Sequence, residues 1–296
     1  PNSSNSHTSV LNGPGSIQVG SINVGNDMTP VGVSRTTTLA CRTNLILEVN
    51  GDVNLYSNIQ GGLNNRATLR HDSGTITING QLIMTQESNG TSTQYTSNIA
   101  TRTGTLKLTN SNPFIFNMLG GTQLTQLVPV FTGCTVEYSP NGNGLEIYNT
   151  TYRDLKINSN YDVISSGFNI NTNGNLFLIK GNLLGDYTLS TGSTITRSGG
   201  TVNSSPSIVD GATYNLVYSQ HTARINTGLE LIEDVSKLEK LTLSSTNGVE
   251  INKTIYPNQL VVTTAGSITG TGDVRVKTLF DVTAAVSFNT GGIITL

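Results

Sequence analysis

Lys240–Thr269 reads KLTLSSTNGVEINKTIYPNQLVVTTAGSIT, and its pattern decides the fold. Leu241 and Leu243 alternate with polar residues, an Asn247-Gly248 turn follows, and Val249 and Ile251 alternate again. Tyr256-Pro257-Asn258 bends the chain, and Leu260 and Val262 begin a third run. Apolar residues at every second position over short runs, punctuated by turn residues, mark half-buried strands. The pattern returns in Leu155–Gly181, LKINSNYDVISSGFNINTNGNLFLIKG, where Leu155 and Ile157 match Leu241 and Leu243, and Val163 falls where Val249 falls. A strand–turn–strand unit of this size has no core of its own and must stack on copies of itself.

Upstream, a longer period holds. Leu45/Leu47, Ile76/Ile78, Leu106/Leu108 and Val136/Tyr138 open strands at intervals of about 30 residues. The first three lead through turns at Asn50-Gly51, Asn79-Gly80 and Ser111-Asn112-Pro113 to Val53/Leu55, Leu82/Met84 and Phe114/Phe116. A fixed period of this length is the sign of a repeat architecture, and suits one three-sided coil. Downstream the coils shorten to roughly 20 residues, as from Leu155 to Leu176 and from Leu241 to Leu260. The expected fold is all-β, a parallel β-solenoid of roughly ten coils, with Leu45, Ile76 and Leu106 in one inward row. The eight Asn-Gly dipeptides suit tight corners, where both residues tolerate positive φ and Asn can form ladders. They also suit hairpins, which makes an antiparallel β-sandwich the alternative.

Residues 1–16, rich in Ser, Asn, Gly and Pro, read as a flexible lead-in, and 17–296 as one solenoid with an internal boundary near 139–144. Thr29-Pro30 breaks the first alternating pair, Ser16–Val24. The piece Leu229–Leu241, LELIEDVSKLEKL, carries helical spacing inside an irregular segment. The start at Pro1 without a signal-peptide pattern, and the apolar end at Ile293-Ile294, read as cut ends.

Composition agrees with stacking. Charged residues are 11% of 296, Gly numbers 32, and Trp is absent. In a stack, like residues sit above each other, so charged ladders repel while Thr, Ser and Asn ladders hydrogen-bond. Net charge is −2 and the densest basic group is Arg275/Lys277, far from the basic stripe nucleic-acid binding requires. No apolar run is long enough for a membrane-spanning helix. Cys41 and Cys134, the only cysteines, read as buried thiols or as one disulfide.

Thr213–Ser219 (TYNLVYS), Thr227–Leu231 (TGLEL) and Leu238–Val249 (LEKLTLSSTNGV) resemble a repeat in large secreted surface proteins of Bacteroidota. Val136–Gly181 is similar, with Tyr152–Ile157 in the place of its tyrosine-led strand; the likeness covers roughly residues 134–270. It implies a right-handed β-solenoid, export by the type IX route, and an adhesin-like or filament role at the cell surface. The sorting domain of exported members is absent from this sequence.

Chemistry has few candidates. Glycoside hydrolysis needs carboxyl groups about 5–10 Å apart. Glu233-Asp234 is the only adjacent acid pair, while Glu48 with Asp52 and Glu137 with Glu146 are pairs that coils can bring together. His7, His71 and His221 stand apart, with His71-Asp72 reading as a turn. Gly270-Thr271-Gly272-Asp273 is too short for a nucleotide loop. Thr36-Thr37-Thr38, Thr75/Thr77, Thr101/Thr103 and Thr263-Thr264 hint at an ice-binding face without the regularity one needs. Tyr56, Tyr95, Tyr148, Tyr152 and Tyr187 suit either sugar stacking or the core. No catalytic, cofactor or metal residue is assigned. The expected function is a non-catalytic structural or adhesive module, extracellular or at a cell surface, whose partners are neighbouring repeats or subunits end to end, cell-surface glycans or other surface proteins. A carbohydrate-active β-helix enzyme (polysaccharide lyase or hydrolase) or a glycan-binding module is the alternative.

Overall fold

The structure is a computed structural model, and it describes residues 6–25, 35–42, 44–60, 63–88, 98–101, 103–119 and 131–295. Every regular element among them is a β-strand. The strands pair in parallel throughout, except where Val53–Gln60 folds back on Leu63–His71 in a short antiparallel hairpin. This is the parallel β-solenoid. Asn50-Gly51 and Asn79-Gly80 do not make the hairpins of a β-sandwich: they are corners between successive sides of a coil. The chain divides into two compact units, Pro1–Leu145 and Glu146–Leu296, the division falling just after the Pro/Asn/Gly-rich stretch 139–144.

In the first unit one side of the coil is built from five rungs: Gly15–Val19, Leu45–Val49, Thr75–Ile78, Thr105–Leu108 and Phe131–Tyr138. Alternation puts every second side chain inside. Leu47, Ile76, Leu106 and Val136 form one inward row; Val49, Ile78, Leu108 and Tyr138 form the next. All eight are at most 1% exposed, and burial of each contributes about 2 kcal/mol. The register differs from the sequence expectation by two positions: Ile76 lies beside Leu47, not Leu45, whose neighbour is Gly15. Period-2 alternation is blind to such a slip. The corners set the register, since the step from Asn50-Gly51 to Asn79-Gly80 is shorter than the step from Leu45 to Ile76.

Those corners are tight. Gly51 N donates to Gly20 O and Gly80 N to Gly51 O, and a Cβ on Gly80 would collide with the Gly51 backbone. Neither Gly51 nor Gly80 has positive φ; glycine is there for close approach. The second side holds the expected rows, Val53–Leu82–Phe114 and Leu55–Met84–Phe116. The third side is Ser6–Leu11, Arg35–Cys41, Leu63–His71 and Asn98–Thr101. The chain is therefore already a strand at Ser6, well inside the segment read as a lead-in. Thr29-Pro30, Tyr95 and Asn89-Gly90 lie outside the described residues.

The second unit has seven rungs on its main side: Thr151–Asn158, Asn169–Lys180, Thr194–Arg197, Tyr214–Tyr218, Leu238–Leu243, Gln259–Val262 and Leu279–Val282. With the five of the first unit these make twelve rungs among the described residues, where the sequence suggests about ten coils. The inward row runs Leu155, Leu176, Ile195, Leu216, Leu241, Leu260, Phe280. Asn173, with φ of 57°, turns a corner within Asn169–Lys180. Val163 and Val249 hold the same place in their coils but belong to different sheets. Val163 pairs with Leu183 and Val249 with Ile268. The coil from Leu216 to Leu241, which opens the second of those sheets, is longer than those on either side of it, from Ile195 to Leu216 and from Leu241 to Leu260. Ile225–Asn226 is still a rung, paired with Val249–Glu250, and the surplus lies after it in the excursion Gly228–Lys237. Its Leu229–Lys237 part is turn and bend, not helix.

Inside this unit aromatic rings stack: Tyr152 meets Phe168 edge-on at 6.0 Å, and Phe168 stacks on Tyr187 at 5.7 Å. Cys41 and Cys134 form no disulfide, and both are buried.

Candidate functional site

The strand Thr194–Arg197 reads TITR. Thr194 and Thr196 face out, so Arg197 follows Ile195 to the inside. It occupies the second inward row, between Leu178 below and Tyr218 above, and is 6% exposed. A charge in that position requires a partner, and Glu230, fully buried, supplies it across 2.5 Å, Nη1 to Oε1. Arg197 also donates to Gly200 O (2.6 Å) and Asn226 O (2.8 Å). The same Oε1 accepts from Tyr218 Oη (2.9 Å) and Gly228 N (3.0 Å). Tyr214 Oη donates to Glu230 O (2.9 Å) and accepts from Ile232 N (3.2 Å). Glu230 Oε2, without a hydrogen bond among the described residues, fills the space a side chain on residue 228 would need.

Burial pushes the Tyr187, Tyr214 and Tyr218 phenols well above their ordinary range, and the Glu230 charge adds to this for all three. They stay protonated; Tyr214 and Tyr218 serve as donors, not bases, while the Tyr187 hydroxyl makes no hydrogen bond among the described residues. The cluster holds the excursion from inside; from outside, Lys253 reaches Leu231 O (3.5 Å) and Lys277 donates to Val235 O. A carboxylate sealed under three tyrosines and an arginine has no solvent-borne substrate to meet. The cluster is a brace.

The sequence expectations fall into place around it. Tyr152 and Tyr187 are core residues, 0% and 1% exposed. Tyr56 and Tyr148 are half-buried, Tyr56 donating to Glu87, so these four do not form a sugar-stacking platform. Glu48 and Asp52 do not act together: Glu48 accepts from Gln18 (2.6 Å) and Asn79 (3.1 Å), which hold its carboxyl below the usual range, while Asp52 accepts from Gln81 N (2.8 Å). Glu137 is buried beside Lys107 (3.6 Å), while Glu146 is exposed. Glu233 and Asp234 are exposed, and Asp234 is spent on Ser236 N and Oγ. Asp72 pairs with Arg70 (3.0 Å) and Arg42 (3.4 Å); the side chains of His7 and His71 are outside the described residues. Among the described residues no three His, Cys, Asp or Glu gather as a metal set. Gly270 and Gly272 sit where a Cβ would strike the Ile251 and Lys253 backbones, so that stretch is a rung corner. Thr75, Thr105 and Thr135 do form an outward ladder, but the column beside it reads Thr77, Lys107, Glu137, which ends any regular threonine face.

The outer polar residues pair mainly along the stack. Asn79 Nδ2 donates to Asn50 Oδ1 (3.3 Å) and Thr109 Oγ1 to Asn79 Oδ1 (2.9 Å), the expected corner ladder. Asn54 donates to Asn23 (2.9 Å), Asn175 to Asp154 (2.7 Å) and Asn258 to Glu239 (2.6 Å).

No protein family matches the chain, and neither a curated protein nor a solved structure matches it. Among the described residues no helix is long and apolar enough to cross a membrane.

Proposed function

We propose that the chain is a non-catalytic structural or adhesive module of a bacterial cell-surface or extracellular filament protein. One observation carries this reading: acidic and amide side chains on several faces of the stack are committed to bonds between successive coils. Glu48 bonds to Gln18 and Asn79, Glu137 to Lys107, Asp154 to Asn175, and Glu239 to Asn258 and Gln259, one coil away in each case. Such bonds stiffen a stack against bending and shear, and they occupy the groups a hydrolase or lyase would need exposed in a groove. The surface location and export rest on the resemblance of Thr213–Val249 to secreted Bacteroidota repeats. In this role the partners are neighbouring repeats or subunits end to end, with glycans or other surface proteins along the sides.

The test is an assay of the purified chain against a panel of acidic and neutral polysaccharides, run beside a glycan array and single-molecule pulling. The expected result is no bond cleavage and a high, repeatable unfolding force. Turnover of any polysaccharide that is lost when a single surface acid is replaced overturns the reading in favour of the enzyme.

A further inference from the structure

Four of the Asn-Gly dipeptides among the described residues, at Asn50, Asn79, Asn143 and Asn247, divide into two chemical classes. Deamidation at Asn-Gly begins when the glycine nitrogen attacks the asparagine Cγ. The N–Cγ bond forms, the Cγ–Nδ2 bond breaks, and ammonia leaves. Water then opens the five-membered imide at either carbonyl, giving aspartate or isoaspartate. The step needs an unengaged glycine N–H, an unengaged side-chain amide and a backbone able to swing, because a hydrogen-bonded donor must first give up its partner.

At the rung corners these conditions are denied. Gly51 N, Gly80 N and Gly248 N donate to Gly20 O (2.5 Å), Gly51 O (3.2 Å) and Ser245 O (3.2 Å). The Asn79 amide is held by Glu48, Asn50 and Thr109, and the Asn247 amide by His221 O (2.6 Å). Asn143-Gly144 is the opposite. Asn143 is exposed, and its amide and the Gly144 N–H make no hydrogen bond among the described residues. Gly144 has φ of +84°, and nothing lies within 4 Å of where a Cβ on it would be. Loop tips of this kind tolerate chemical change best.

We propose that Asn143 is a built-in site of spontaneous, enzyme-free deamidation, and that stacking protects Asn50, Asn79 and Asn247. The product carries one more negative charge and, as isoaspartate, an extra main-chain carbon at the end of the 139–144 stretch.

The full chain is aged at mildly alkaline pH, folded and in denaturant. Peptide mapping then follows the exchange of NH2 for OH, with isoaspartyl methyltransferase labelling as the second readout. Folded, Asn143 is expected to react on the order of tenfold faster than Asn79 or Asn247, the factor set by one hydrogen bond to be broken first. In denaturant the rates converge. Asn143→Ser removes the earliest product. Equal rates in the folded chain, an ordering that survives denaturant, or an early isoaspartate signal unchanged in Asn143→Ser overturns the proposal.

Discussion

Arg197 Nη1 and Glu230 Oε1 meet at 2.5 Å although they stand 33 positions apart in the chain, and Arg197 reaches that contact from an inward row otherwise apolar or aromatic. Burying two charges costs desolvation that their attraction barely repays, whereas orphaning one costs far more. Glu230→Leu or Arg197→Leu is therefore expected to destabilise the second unit by about 3–5 kcal/mol. The double replacement Arg197→Leu with Glu230→Leu costs clearly less than the sum of its single steps. Denaturant unfolding of the four proteins measures the cycle; additive losses would mean that the two residues act independently.

The corner glycines give a steric prediction. Gly80→Ala drives a Cβ into the Gly51 backbone, which cannot rotate away, and costs about 1–3 kcal/mol. Gly142→Ala, where nothing lies within 4 Å and φ is not positive, changes stability by less than about 0.5 kcal/mol. Thermal melts of both variants decide it; equal melting temperatures would remove the close-approach argument.

Asn79 bonds at once to Glu48, Asn50 and Thr109. Asn79→Ala is expected to cost about 1–2 kcal/mol. It should also raise the Glu48 carboxyl back toward its ordinary value, because Asn79 is one of the two bonds that lower it. NMR titration of Glu48 in the variant checks the second effect.

Alkali should unfold the second unit abruptly. Tyr187, Tyr214 and Tyr218 have folded pKa values above the ordinary 10.0, so the unfolded chain loses these protons first. Their stabilisation is complete below pH 10 and falls as pH rises beyond it, by up to about 1.4 kcal/mol per pH unit for each tyrosine. Tyrosinate absorbance and loss of strand circular dichroism are expected to rise together in one transition. Ionisation of all ten tyrosines before any loss of structure would contradict the burial.

Cys41 is fully buried and its thiol is pushed up to about 11, by burial first and the Asp72 charge second. Thiol reagents at neutral pH are expected to leave it unmodified until the first unit unfolds. Rapid labelling in native buffer would show that the third side of the coil opens.

Much of this architecture is legible in the sequence because its grammar is short-range. Alternation names Val53, Leu55, Leu82 and Met84 as inward, and the steps from Leu155 to Leu176 and from Leu241 to Leu260 are those of the stack. The Leu45–Ile76 pairing failed where alternation alone was asked to fix register, since a slip of two keeps every residue on its own face. The brace was hidden for a different reason: Arg197 breaks the pattern, and its partner lies in an irregular loop. The signal was present in strict counting, which carries Thr194-Ile195-Thr196-Arg197 to an inward arginine, and in Tyr214, Tyr218, Gly228 and Glu230, whose spacing has meaning only once the excursion folds back.

The corners that set the register also give the chain something like a reading frame. A lost or gained residue within a strand would turn inward side chains outward until the next corner, and the corner bonds, glycine over glycine and Asn over Asn, would no longer meet. Removal of one whole turn, such as the step from Leu241 to Leu260, brings equivalent corners back into contact and leaves the frame intact. Sequence change in such a molecule is quantised: complete turns can be added or removed, and excursions like Gly228–Lys237 can grow between them, while single-residue insertions within the rungs break the frame.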